Sequence, residues 1–206
     1  NEGNDVEVSS KLVHGKDLGI TLIRVGHFVT EDTALDPLAK SLLQFLRLLI
    51  EDDAVRLLEL RTAAEIGVAW RKWAPLTSHV VLIGHGSSES FRLLDREEPL
   101  SGSEFAGLFG EVPESRPKVW ISLSCLTGRT PFARPVSNAE ACAEFIAPFQ
   151  SVHVAAASHF AQSFFVHHLL NAKGVVAAHR LAMDSVGAGV AFHHWRSGEK
   201  RPQPAR

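Results

Sequence analysis

The segment 79–84, HVVLIG, sets the narrowest limit on what this chain can fold into, because after its first residue it offers no polar side chain to water on either face. A strand apolar on both faces needs cover on both sides, and a central strand of a parallel sheet wrapped by helices has it. Short apolar, β-branched runs repeat the signal at 18–25 (LGITLIRV), 54–60 (AVRLLEL), 118–124 (KVWISLS), 151–158 (SVHVAAAS) and 190–195 (VAFHHW). Each has the length and composition of a strand. Between them lie helical patterns with recognisable ends. Asp36 stands at an N-cap and Pro37 at the first helical position, ahead of Leu38, Leu42, Phe45 and Leu49 on one face. Thr62 with Glu65, and Ser101 with Glu104, have capping-box spacing, and Pro75 closes the first of these helices. Trp70 and Trp73 are expected to pack that helix onto the sheet. The pattern SNAE at 137–140 predicts another start, with a helix running to Pro148 and Cys142 in its core face. Further helices are expected over 161–174, with Gly174 as C-terminal cap, and over 175–187. Strands spaced by helices predict an α/β fold, a mostly parallel sheet of about six strands with helices on both faces.

A chain of 206 residues that is 45% hydrophobic can bury one good core. Residues 1–195 therefore read as one domain and 196–206, RSGEKRPQPAR, as a flexible polar tail. A net charge of −2, with Lys and Arg scattered along the chain, points away from a nucleic-acid surface. No apolar run reaches the roughly 18–20 residues that cross a membrane, so no membrane partner is expected. The chain opens at Asn1 with no signal-peptide pattern, and without a methionine it reads as a trimmed product whose leader could have been removed. Two cysteines do not make a disulfide scaffold, and the expected setting is a reducing cytoplasm, with a Cys125–Cys142 bridge as the open alternative.

The chemistry concentrates at two strand ends. The run at 80–84 stops at His85, which has a glycine on either side, and the run at 118–124 stops at Cys125. Ligands of open α/β sheets bind in the crevice outside the carboxyl ends of the strands, and both residues fall there on consecutive strand candidates. An imidazole can activate a thiol by taking its proton. The backbone N–H groups of Gly86 and Cys125 lie where an oxyanion could be held, and Gly86 permits close approach of a substrate carbonyl. Taken singly, a histidine after a strand is most often structural and a free cysteine most often buried. The matched placement of the pair favours catalysis.

These residues carry a resemblance. LIGHG, then LLDREEPLSGSEFAGLF, then VWISLSCLTG resembles the caspase-like CHAT family of cysteine peptidases, and the similarity extends over about 18–195. The resemblance implies a caspase-like fold and a cysteine endopeptidase in which His85 is the general base and Cys125 the nucleophile. It implies no third catalytic carboxylate and no cofactor. It also implies a protein or peptide substrate, an activating protein partner, and a place in a bacterial defence or cell-death pathway. A catalytically inactive binding or scaffold module of the same fold is the alternative. In clan relatives the first substrate side chain is bound at three places, which here hold Arg24 or His27, Leu123, and the segment 157–160 that contains Ser158. Leu123 stands two residues before the cysteine, where metacaspases carry an acid. The expected pocket therefore prefers an uncharged side chain, then an acidic one through Arg24, and a basic one last.

Other chemistries fit poorly. GHGSS lacks the central serine of a nucleophile elbow, and no phosphate-binding glycine pattern follows a strand. Eleven histidines suggest a metal, but His167–His168 and His193–His194 are adjacent pairs that point apart, and no HExxH occurs, so no metal is expected. Glu140 and Glu144, four apart on the expected helix, read as a solvated edge. The segment 126–138, LTGRTPFARPVSN, is expected to be a mobile loop beside the site, with Arg129 and Arg134 as candidate processing points.

Overall fold

The computed structural model describes residues 17–26, 33–187 and 189–198. Two of the apolar runs become strands buried at every position: β1 (Ile20–Val25) and β3 (His79–Ile83). With β2 (Val55–Leu60), β6 (Lys118–Ser122), β7 (Cys142–Pro148) and β8 (Phe192–Arg196) they form a six-stranded sheet in the order β2-β1-β3-β6-β7-β8. Neighbours pair in parallel except β7 and β8, which run antiparallel. A two-stranded hairpin, β4 (Ser90–Phe91) and β5 (Leu100–Ser101), stands apart from the sheet. The protein is thus α/β with a mostly parallel sheet and helices on both faces, the arrangement expected of a caspase-like fold.

Alternation along each strand divides the core in two. One face carries Leu22, Val81, Ile121 and Ile146 against α1 (Leu35–Leu49), α5 (Val154–Phe165) and α6 (Val175–Val186). The other carries Ile23, Leu82, Trp120 and Phe145 against α2 (Ala63–Trp73), α3 (Gly102–Gly107) and α4 (Thr130–Ser137). On that second face Phe91, Phe105 and Phe132 are fully buried, with ring centroids 4.8–6.3 Å apart. Both capping boxes form, with Thr62 accepting from the Glu65 N–H and Ser101 from the Glu104 N–H. Trp70 packs into the core, whereas Trp73 lies at the rim beneath the guanidinium of Arg56, 4.8 Å from its ring.

Several expectations need correction. Asp36 is not the N-cap of α1, since the helix starts at Leu35 after Ala34, which makes no side-chain cap. The Asp36 carboxylate sits in the first turn and is drawn to Arg24 at 3.2 Å and to Lys40 at 2.7 Å. The helix expected over 137–148 is instead the end of α4 followed by β7. The alanines and glutamates there favour a helix, but β6 and β8 leave a central position that only an extended segment fills, so tertiary pairing overrides propensity. Glu144 consequently lies on a strand, bonded to His194 at 2.6 Å, and not on a helix edge with Glu140. The strand expected at 151–158 is the start of α5. The alternating Val152 and Val154 imitate a strand, but His153 caps the helix by accepting the Ala155 N–H on Nδ1 at 3.2 Å. Gly174 is the N-cap of α6, with an ordinary negative φ of −59°, and not the C-terminal cap of the preceding helix. That preceding helix ends in a π-helical turn, Val166–Leu170.

The segment 126–138 is not a loose loop. Pro131 sits in the first turn of α4, where its missing N–H costs nothing, and Phe132, Ala133 and Val136 are buried against α3. Of the expected tail, residues 199–206 lie outside the described residues; Arg196 ends β8, and the Gly198 N–H donates to Asn138 Oδ1 at 2.8 Å.

Candidate active site

Leu82 of β3 and Ser122 of β6 are partners in the parallel ladder, and His85 and Cys125 each stand three residues beyond them. The two chains stay together after the strands end. A side chain at Gly86 would place its Cβ 2.9 Å from the Cys125 carbonyl oxygen and 2.5 Å from Thr127 Cγ2, so only glycine lets the backbones approach so closely. Gly84 is constrained likewise by the Phe91 ring, 2.5 Å from its notional Cβ. The two glycines around His85 therefore seat one strand end between the hairpin and the cysteine turn.

The hairpin fixes the histidine from behind. Arg92 N–H donates to the His85 carbonyl at 3.0 Å, Ser87 N–H to the Ser90 carbonyl at 2.8 Å, and the Ser87 and Ser90 hydroxyls bond at 2.9 Å. His85 is exposed and lines an open cleft of about 410 Å³ with Gly86, Ser87, Ser90, Arg92 and Pro99. Cys125 is not among the residues lining this cleft.

The cysteine turn is held from within. The Thr127 hydroxyl, fully buried, donates to the Ser124 carbonyl at 2.7 Å and bonds to Ser122 Oγ at 2.7 Å. Ser122 Oγ also accepts the Ser124 N–H at 3.2 Å. Leu126 takes a left-handed φ of 64°, and its N–H donates to the Gln150 carbonyl at 3.2 Å. The Gly128 N–H donates to the Pro148 carbonyl at 2.8 Å, and any Cβ there would sit 2.3 Å from the Ala147 carbonyl oxygen. The Ser-Cys-Leu-Thr-Gly run is thus a turn laced to the end of β7.

Cys125 is a free, half-buried thiol. Its Sγ lies 3.5 Å from the Val152 N–H, which donates to it, and 3.8 Å from the Val152 carbonyl, which it can donate to. Neither the Gly86 nor the Cys125 N–H has an acceptor among the described residues. Two donors on touching backbones, beside a thiol and a histidine, are an arrangement capable of acyl transfer. Beside the thiol the Ser124 hydroxyl is buried with no hydrogen-bond partner among the described residues.

Among the described residues, those expected for substrate recognition do not gather into one open pocket. Arg24 is 1% exposed, and its guanidinium pairs with Glu59 at 2.6 Å and Asp36 at 3.2 Å. Leu123 is buried in the core with Ala157 and Phe160. Ser158 lies on α5, where its hydroxyl accepts from Gln162 Nε2 at 3.0 Å and stands 3.5 Å from Ser41 Oγ on α1. His27 lies outside the described residues. Val152, which the sequence reads as part of a strand, is what meets the thiol. Arg129 donates to the Phe149 carbonyl at 3.0 Å and stacks over its ring, and His193 stacks on the same ring at 4.3 Å.

Three other histidines, His79, His168 and His179, are bonded within the fold. His79 and His168 face each other Nε2 to Nε2 at 3.0 Å, and burial, with His168 beside it, pushes His79 down to about 3. His179 bonds to the Phe192 carbonyl at 2.7 Å, and burial pushes it down to about 4 despite that bond. Among the described residues no group of three or more His, Cys, Asp or Glu is placed to hold a metal ion. No helix among them is long and apolar enough to cross a membrane. No known family model and no curated protein matches the chain.

Proposed function

We propose that the protein is a cysteine endopeptidase acting on protein or peptide substrates, with Cys125 as nucleophile and His85 as general base. The observation that carries this reading is the equal offset of His85 and Cys125 beyond a registered strand pair, with Gly86 packed on the Cys125 carbonyl. In the reaction the Cys125 proton passes to His85 while sulfur bonds to the scissile carbonyl carbon. The carbonyl oxygen becomes an oxyanion, and the free N–H groups of Gly86 and Cys125 are the donors at hand for it. Collapse expels the amine, which takes the proton from His85 and leaves a thioester. Water, deprotonated by His85, attacks the thioester and frees the acid and the thiol.

The first substrate side chain in this reading is uncharged in preference to acidic, and basic last. Leu123 is buried in the core and brings no charge, and the charge of Arg24 is committed to Glu59 and Asp36. Placement in a reducing cytoplasm, an activating partner, and a role in bacterial defence or cell death rest on the thiol count and the motif resemblance.

A non-catalytic binding module is the second reading, favoured by the bonds between Cys125 and Val152 and by the absence of Cys125 from the cleft at His85. Cleavage of a peptide library, read by mass spectrometry of new termini, decides between them. The peptidase reading requires cleavage by the wild type, loss of several orders of magnitude in Cys125→Ala and His85→Ala, and little further loss in the double variant. Undiminished cleavage by a correctly folded Cys125→Ala protein would overturn it, and a wild type inert with or without protein partners would favour the binding module.

A further inference from the structure

The opposite end of the sheet holds a feature with no part in the chemistry above. Lys118 opens β6 and is 2% exposed, yet no hydrogen bond or carboxylate reaches its ammonium among the described residues. The ammonium is not sealed from water: it is hydrated through the cleft that it lines, and an anion seated there would take the place of that water. Lys118 lines a cleft of about 730 Å³ with Arg56 and Arg116, so three cationic side chains share one wall system. Its floor is polar: the Thr77 hydroxyl is buried and bonds to Thr21 Oγ1 at 2.7 Å, and Ser78 lies beside it.

The charges are graded with depth. Asp17, Glu51, Asp53 and Glu114 also line the cleft, and all four are exposed, at its mouth. Arg56 is half-buried and spent on neighbours, donating to the Leu76 and Asp53 carbonyls at 3.2 and 3.0 Å. Lys118, the deepest charge, is left with Arg116 alone nearby. Burial first, and Arg116 second, hold the Lys118 amine down to about 8. An opposite charge against it would oppose both effects by favouring the charged amine.

We propose that this cleft binds a small molecule with a single compact anionic group, carboxylate or phosphate, that pairs with Lys118 and Arg116. The carboxylates at the mouth repel extended polyanions, so the rest of the ligand is neutral or positively charged. The exposed Arg116 supplies the remaining polar contacts, since the Thr77 and Ser78 hydroxyls are bonded within the fold to Trp73, Thr21, Gly19 and His79.

Acetate and inorganic phosphate are the probes, each compared with chloride at equal ionic strength. Trace labelling of lysines by an amine-reactive ester, read by mass spectrometry, reports the accessibility and charge of Lys118 against Lys72 and Lys173. At pH 7 the binding anion slows labelling of Lys118 at least about fivefold and leaves the other two unchanged. The protection fades as pH rises through about 8, because the neutral amine no longer attracts the anion. Protection by acetate alone assigns a carboxylate ligand, and by phosphate alone a phosphate. Thermal stabilisation by the same anion should vanish in Lys118→Met. If that variant does not fold, Arg116→Ser, altered at an exposed position, should weaken protection of Lys118. Equal labelling in all three salts at pH 7, or undiminished protection in Arg116→Ser, overturns the proposal.

Discussion

The Val152 N–H points at Cys125 Sγ across 3.5 Å, joining the turn after β6 to the start of α5. Cys125 is therefore held by the segment that leads into a helix as well as by its own turn. The proposed nucleophile depends on two backbone approaches, one at Gly86 and one at Gly128, and each can be tested by adding a methyl group.

Gly128→Ala should cost about 2–4 kcal/mol, since the new Cβ meets backbone at 2.3 Å and the end of β7 cannot yield cheaply. Urea unfolding measures the loss, and alkylation of Cys125 should change in rate in the same variant because the turn must shift. Wild-type stability together with wild-type alkylation would show that the turn is looser than described.

Phe132→Ala should cost roughly 3–5 kcal/mol, the cost of truncating a fully buried aromatic side chain. A residue in a loose connection would cost little. Limited proteolysis at the Arg129–Thr130 bond should accordingly be no faster than global unfolding.

Arg24→Met should destabilise the protein by about 1–3 kcal/mol, less than a wholly buried pair, because Glu59 is 45% exposed and keeps much of its hydration. The ratio of cleavage between peptides that differ only as Leu or Asp at the first substrate side chain should not change. A selective loss of the Asp peptide would place Arg24 in the recognition pocket.

Acid should weaken the fold through His79 and His179. Their folded values, about 3 and about 4, lie below the ordinary 6.5, so between these limits the unfolded chain binds protons that the native state refuses. Stability is complete above pH 6.5 and falls as the pH drops toward 4, with roughly 2 kcal/mol lost per histidine between pH 7 and 5. His79→Gln should show a shallower decline over that window, and an identical slope would mean that His79 is protonated in the folded protein.

Much of this was legible in the sequence. HVVLIG reads as a strand covered on both faces, and the two capping boxes mark helix starts correctly because their side-chain bonds are local. The order of elements went wrong between 137 and 158, where the signals conflict. AEACAEFIA has helix-forming composition but fills the gap between β6 and β8, and SVHVAAAS has strand-like valines but begins α5 behind a histidine cap. Propensity is a local quantity, and sheet order is not. The positions of His85 and Cys125 at neighbouring strand ends were readable because each ends an apolar run. The contact of Cys125 with Val152, and the isolation of Lys118, depend on distant segments and leave no local pattern.

The central claim is that His85 acts on Cys125, and the alkylation rate of Cys125 in the wild type and in His85→Ala tests it most directly. Measured from pH 5 to 9 by mass spectrometry, with Cys142 as the internal reference, the wild-type Cys125 should react far faster than Cys142, whose thiol burial and Glu144 push up. Removing the imidazole should slow Cys125 at pH 7 by at least about tenfold and change its pH profile, as expected for loss of a general base. The same rate and the same profile in both proteins would mean that the two strand ends meet without chemistry, and would contradict the assignment of His85 and Cys125 as a catalytic pair.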